Sequence, residues 1–165
     1  TVDMEIVPVS EVVTQVLAEL GPEAAKKDMA LRDGTRNESV TLHTDRNRLL
    51  QVLYNLVSNA IKYSDEGEVV ITYDQNPLAV TLRVEDSGNG ISASDQQKLF
   101  RPFSRVGKVD ETDIVGSGLG MWITERLVTH LGGTVGVESI EGVGTHIVVT
   151  FDLRKIAQKV REGIL

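Results

Sequence analysis

Apolar residues follow helical spacing near the start of the chain. They recur three or four positions apart, at Val9, Val12, Val13, Val16, Leu17 and Leu20. This spacing places them on one face of an amphipathic helix. Ser10 is a suitable N-cap for this helix, and Gly21-Pro22 predicts its end.

The same pattern predicts two further long helices. One begins at Thr44 or Asp45 and runs to about Ser64, and the other spans 121–131 until Gly132-Gly133 ends it. A charged helical segment follows the last apolar strand. We therefore expect one domain over 1–153 and a charged helical tail over 154–165.

Alternating apolar and polar residues predict a β-hairpin over 68–86. Val69, Ile71 and Tyr73 alternate with polar neighbours before a turn at 74–77, and the alternation then resumes. One face of this hairpin is therefore expected to be buried.

Further strands complete the predicted fold. A second hairpin is expected from 134–139 and 145–151, with short strands near 29–32 and 40–42. Hairpins combined with long helices indicate an α+β fold. We expect a two-layer sandwich in which a mixed sheet is covered on one face by about three helices.

The composition supports an ordered domain and limits the classes of partner that it is expected to bind. Of the 165 residues, 41% are apolar and 25% are charged, as in an average globular domain. The net charge of -7 disfavours direct contact with nucleic acid or an anionic membrane surface. Because cysteine is absent, the chain has neither disulfides nor thiolate metal sites. We expect a cytoplasmic domain, whose parent protein could be membrane-anchored.

Polar residues lie along one edge of the second helix, beside its apolar face. They are Asn55, Asn59, Lys62 and Tyr63. An amide oxygen can ligate Mg²⁺, and a lysine ammonium can contact phosphate. Taken alone, this stripe is also typical of an ordinary solvent boundary, as are most polar residues at a helix edge.

Three glycine-containing segments could bring the backbone close to a ligand. Segment 86–91 begins with Asp86, whose carboxylate can accept a hydrogen bond from an exocyclic amine such as that of adenine. Segment 116–120 precedes a helix and offers backbone N–H groups to phosphate. Segment 142–145 is a tight turn ending in the hydroxyl of Thr145. Each segment alone is also compatible with an ordinary turn or linker.

Together these segments resemble the conserved boxes of sensor histidine kinases. The boxes stand in the family's order: the N box at 55–64, the first glycine box at 86–91, the F box at 98–106, and the second and third glycine boxes at 116–120 and 142–145. The resemblance covers most of residues 5–153 and implies the Bergerat ATP-binding fold, with ATP and Mg²⁺ as cofactors.

The resemblance also implies a role for each matching residue. Asn59 would ligate Mg²⁺ with support from Asn55. Lys62 and Arg105 would contact phosphate oxygens, and Asp86 would accept from the adenine amino group. The other implied nucleotide-binding residues are Tyr63, Gly88, Gly90, Ile91, Phe103, Gly116, Gly118, Leu119, Gly120 and Thr145. Residues 104–118 would form a mobile lid over ATP.

Asn55 bears on the type of reaction. In ATP-hydrolysing members of the wider superfamily, a glutamate one helical turn before the metal-binding asparagine acts as the base for water. Asn55 occupies that position here and cannot accept a proton. The resemblance therefore favours transfer of the γ-phosphoryl group to a nucleophile other than water.

The accepting histidine is expected outside this chain. None of its three histidines, His43, His130 and His146, is followed by the acidic residue of the family's acceptor motif. We expect phosphoryl transfer to a histidine on a separate dimerisation and phosphoacceptor domain of a homodimeric protein, with a response regulator as a further partner. Two alternatives stay open, an anti-sigma-type serine kinase and a non-catalytic ATP-binding regulatory module.

Overall fold

The computed structural model describes residues 1–35, 39–64, 66–87, 94, 120–140 and 143–165. The elements in these ranges are β1 (Met4–Pro8), α1 (Val9–Lys26), β2 (Ala30–Asp33), β3 (Thr41–Asp45), α2 (Arg46–Tyr63), β4 (Glu68–Gln75), β5 (Ala79–Asp86), α3 (Gly120–His130), β6 (Gly133–Ile140), β7 (Gly144–Asp152) and α4 (Leu153–Arg161).

Five strands form a mixed sheet in the order β2-β4-β5-β7-β6. Strands β2 and β4 run parallel, whereas the other neighbouring pairs are antiparallel. Strands β1 and β3 form a separate antiparallel pair. The predicted α+β class, the mixed sheet and both hairpins are confirmed.

The core lies between one face of the large sheet and helices α1, α2 and α3. The register of the sheet aligns Ile71 of β4 with Val84 of β5 and Ile147 of β7, and all three side chains are buried. The opposite face carries charged residues, including an ion pair between Arg83 and Asp74 at 2.6 Å. This one-sided burial explains the apolar alternation in the sequence.

Helix α2 begins and ends close to its predicted limits. Its N-cap is Asp45, whose side chain accepts a hydrogen bond from the Arg48 N–H at 3.1 Å. Burial disfavours the charged carboxylate, but hydrogen bonds from the backbone N–H groups of Asp3 and Arg48 outweigh it. The pKa of Asp45 is therefore lowered from its ordinary value.

Helix α1 runs through Pro22 to Lys26, so its predicted end at Gly21-Pro22 is wrong. A residue before proline normally leaves the helical region because its Cβ meets the proline ring. The backbone N–H of that residue also meets the ring, but Gly21 has no Cβ, which removes the side-chain part of the clash. Continuation of the helix also buries Ala24, three residues after Gly21, in the core.

The start of α1 also differs from the prediction. Pro8 occupies the N-cap position without a side-chain hydrogen bond, so Ser10 is not the cap. The Val9 N–H instead donates to the carbonyl of Val40 at 2.9 Å. Strand β1 was not among the predicted strands. It leads directly into the start of α1 and pairs with β3.

Helix α4 packs against the end of α3. Gly132 ends α3 with φ +92°, and a Cβ at this position would lie 2.7 Å from the Cγ1 atom of Ile156. The Lys159 ammonium donates to the carbonyls of Thr129 and His130 at 3.0 and 3.1 Å. None of the helices in the described ranges combines the length and apolar character needed to span a bilayer.

Candidate functional site

The polar stripe of α2 lies at the boundary of the core. Asn55, Asn59 and Tyr63 are partly exposed and Lys62 is exposed, whereas the neighbouring apolar residues of this helix are buried. The helix therefore uses one face for packing and presents two amides, an ammonium and a phenol beside it.

Asn55 connects α2 to α3. Its Nδ2 atom donates to the Oγ1 atom of Thr124 at 3.3 Å, and the Thr124 side chain is fully buried. The donor end of the amide thus faces α3, so its acceptor oxygen is directed elsewhere. The N-box helix is fixed in this way against the helix that begins at Gly120.

Thr124 was missed in the sequence analysis, although a signal was present. It lies on the same helical face as Met121, Val128 and Leu131, all of which are buried. A hydroxyl on an otherwise apolar helix face requires a polar partner. That partner belongs to α2, and nothing in the local sequence identifies it.

Asp86 and Thr145 lie side by side at one end of the large sheet. Asp86 is the last residue of β5, and the register pairs it with Thr145 of β7. The Thr145 hydroxyl, which is buried, lies 2.9 Å from the hydroxyl of Ser139 on β6. The ends of three strands therefore present a carboxylate and two hydroxyls together.

Gly144 allows this close arrangement of the strands. A Cβ built on it would collide with the carbonyl oxygen of Asp86. The backbone at Gly144 therefore packs directly on the end of the strand that leads into the first glycine box. Any larger residue at position 144 would push the two apart.

A pocket of about 360 Å³ opens at this end of the sheet. Its lining comprises Asp86, Ser87, Glu138, Ser139, Val143, Gly144 and His146. Its volume is within the range of small-molecule binding sites. Asp86 is therefore one of the residues that line this space.

The described residues fit a nucleotide with a bound metal ion. Within the described ranges, no group of three His, Asp or Glu side chains lies close enough together to hold a metal ion by itself. Mg²⁺ beside phosphates takes few protein ligands and keeps several phosphate and water oxygens, so the amide oxygen of Asn59 could serve as its protein ligand at α2. Lys62, in the same turn, would supply positive charge beside the phosphates.

Several predicted site residues lie outside the described residues. They are Gly88, Gly90, Ile91, Phe103, Arg105, Gly116, Gly118 and Leu119, and the predicted lid at 104–118 lies outside them as well. Gly120 is the first residue of α3. The described part of the predicted site therefore consists of the α2 stripe, the start of α3, and Asp86 with Thr145.

These features define an α+β domain with a polar stripe along one helix and a carboxylate beside two hydroxyls at one end of its sheet. The chain belongs to the family of histidine kinase-, DNA gyrase B- and HSP90-like ATPases, whose sequence profile matches residues 44–155. The resemblance to sensor histidine kinases is confirmed by the proteins that match.

Two curated relatives illustrate the match. The virulence sensor protein BvgS of Bordetella bronchiseptica is 48% identical over 112 residues, which is 65% of this chain and 9% of BvgS. The sensor histidine kinase RcsC of Escherichia coli is 33% identical over 155 residues, 93% of this chain and 16% of RcsC. The chain therefore spans less than a fifth of the length of each.

Two solved structures share the fold over most of the chain. Full-length ShkA in complex with AMPPNP superposes with a TM-score of 0.81 at 28% identity, covering 92% of this chain and 31% of ShkA. Histidine kinase ThkA in complex with the response regulator protein TrrA gives 0.75 at 25% identity, covering 92% of this chain and 42% of ThkA.

Proposed function

We propose that this chain binds Mg·ATP and transfers the γ-phosphoryl group to a histidine on a separate dimerisation and phosphoacceptor domain of its parent protein. The observation that carries the proposal is the polar stripe of α2, which is partly exposed beside an otherwise buried helix face. In a chain of this ATPase family, that stripe supplies the groups expected to hold phosphates.

Each described residue has a defined task in this proposal. The amide oxygen of Asn59 holds Mg²⁺, which neutralises phosphate charge when bound. The Lys62 ammonium contacts phosphate oxygens, and Tyr63 lines the nucleotide pocket. Asp86 accepts a hydrogen bond from the adenine amino group beside Thr145.

Asn55 disfavours water as the acceptor of the phosphoryl group. An amide cannot take a proton from water, so α2 provides no general base for hydrolysis. Catalysis then depends on positioning ATP and neutralising its charge until the acceptor histidine approaches. Arg105, Gly120 and the residues of the other boxes complete the binding of phosphates in this proposal.

The proposal extends to partners and location. The ThkA structure contains a response regulator, which supports a response regulator as the downstream partner here. We also propose a homodimeric parent protein with residues 1–153 as a cytoplasmic catalytic domain and 154–165 as a charged tail. The acidic surface favours neither nucleic acid nor a membrane as a direct ligand.

Phosphoryl transfer in trans tests the proposal. The chain is mixed with the separately produced phosphoacceptor segment of its parent protein, labelled ATP and Mg²⁺. We expect label on the acceptor that is lost in acid and retained in base, as for a phosphoramidate. Acid-stable label would indicate a serine kinase, label in free phosphate a hydrolase, and binding without transfer a regulatory module.

A further inference from the structure

Lys27 makes an unusual set of contacts with the last turn of α2. Its Nζ atom donates to the carbonyl of Ile61 at 2.7 Å and to that of Ser64, and it lies 3.4 Å from the carbonyl of Lys62. An ammonium has three donors, and here three neighbouring carbonyls surround it. Lys27 belongs to a different part of the chain, directly after α1.

These carbonyls need a partner because they stand at a helix end. The last four carbonyls of an α-helix lack intrahelical donors, and the end of the helix carries partial negative charge. Ser64 does not close the helix with its own side chain, since its buried Oγ atom has no hydrogen-bond partner in the described part of the chain. Lys27 therefore supplies the cap.

The backbone before β2 directs Lys27 towards α2. Asp28 has φ 53°, and hydrogen bonds run from the Met29 N–H to the Ala24 carbonyl and from the Asp28 N–H to the Ala25 carbonyl. This is the Schellman arrangement, which ends α1 and reverses the chain. Three residues after Lys27, the N–H of Ala30 donates to the carbonyl of Gly67 at 3.2 Å. Lys27 and Ala30 thus hold both ends of the segment that joins α2 to β4.

The capped turn is the one that carries the proposed phosphate-binding groups. Asn59, Lys62 and Tyr63 all project from the last five residues of α2, and Lys27 binds the carbonyls of this same stretch. We propose that Lys27 is a positioning residue of the nucleotide site, which fixes the last turn of α2 so that these side chains meet the Mg²⁺-bound phosphates. This inference rests on the proposed function.

Lys159 offers a matched control. It caps the end of α3 through two carbonyls in the same way, and both lysines are partly buried. The 11 residues of α3 place that end about 16 Å from Gly120, where the helix approaches the proposed site. Loss of Lys159 therefore removes an equivalent cap at a distance from the nucleotide.

Calorimetry of Mg·ATP binding to the 165-residue chain compares Lys27→Met, Lys27→Arg and Lys159→Met with the wild type. We expect Lys27→Met to raise the Kd by about 3-fold to 30-fold, with recovery in Lys27→Arg and no change in Lys159→Met. Circular dichroism verifies folding, and Lys27→Gln replaces Lys27→Met if the latter does not fold. An unchanged Kd in the folded variant, or an equal loss in Lys159→Met, would overturn the inference.

Hydrogen exchange without nucleotide separates this inference from the proposed function. We expect faster exchange in the last turn of α2 in Lys27→Met than in the wild type, with exchange in β6 and β7 unchanged. If the wild type fails to bind Mg·ATP, the proposed function is wrong. Exchange in the last turn of α2 still tests whether Lys27 fixes that turn. Equal exchange in Lys27→Met and the wild type would show that it does not.

Discussion

The amide of Asn55 and the hydroxyl of Thr124 lie 3.3 Å apart, although 69 positions separate the two residues in the chain. The contact joins the helix of the N box to the helix that follows the second glycine box. In a domain proposed to close these two segments around a nucleotide, it sets their relative position before any ligand binds. It also fixes which end of the Asn55 amide faces α3.

Thr124→Val should impair this connection without changing the shape of the core. Valine keeps the branched form of threonine but cannot accept the hydrogen bond, so the partly exposed Asn55 amide loses its partner at a net cost of about 0.5–1.5 kcal/mol. We expect a lower unfolding free energy by urea titration and slower phosphoryl transfer. Thr124→Ser retains the hydroxyl and should transfer at near the wild-type rate. Equal rates in both variants would argue against a role for the contact.

Asn59→Ala should abolish the Mg²⁺-dependent part of ATP binding. The variant removes the amide oxygen proposed as the metal ligand while leaving the helix intact, because alanine is a strong helix former. Calorimetry with and without Mg²⁺ measures the effect. Asn47→Ala, at an exposed position in the first turn of α2, is the control and should bind like the wild type. Persistent Mg²⁺ dependence in Asn59→Ala would exclude the assignment.

Asp86→Asn should weaken adenine nucleotides specifically. A carboxylate accepts from the adenine amino group, whereas an amide presents a donor to it, and the mismatch is worth about 1–3 kcal/mol. Competition binding with ATP, GTP and inorganic triphosphate measures the change, which should be confined to ATP. Equal affinity of the wild type for ATP and GTP would show that Asp86 does not recognise the base.

Thr44→Val should stabilise the fold. The Thr44 side chain is fully buried, and its Oγ1 atom has no hydrogen-bond partner in the described part of the chain. Replacing this hydroxyl with a methyl group removes an unsatisfied polar atom, which is worth about 1 kcal/mol or more. Urea unfolding should show a higher midpoint with an unchanged slope. A lower midpoint would indicate that the hydroxyl has a partner, such as a bound water.

Asp45 should contribute to stability in a pH-dependent way. Its pKa is lowered in the folded state, so the folded protein binds fewer protons than the unfolded chain. The contribution is therefore full above the ordinary aspartate pKa of about 3.9 and is lost as the pH falls through the lowered value. Asp45→Asn keeps an N-cap side chain but removes the charge. The stability difference between the two proteins should shrink on acidification, and a constant difference would contradict the assignment.

The sequence alone determined the elements whose signals are local. Helix α2 and the hairpin of β4 and β5 have clear apolar periods, because each buries one face against the core. The boxes also identified the family, since a binding motif is a short run of residue types with fixed spacing. The same reasoning placed Asn55, Asn59, Lys62 and Tyr63 on one edge of α2.

The tertiary structure decided the features that depend on residues distant in sequence. Strand β1 exists because it pairs with β3, and α1 continues past Pro22 because Ala24 gains a place in the core. The cap that Lys27 provides for α2 and the bond from Asn55 to Thr124 also join distant segments. A local pattern shows which residues of a segment face water and which face the core. It does not show which other segment packs against them. That pairing is settled only when packing brings the partners within hydrogen-bonding distance.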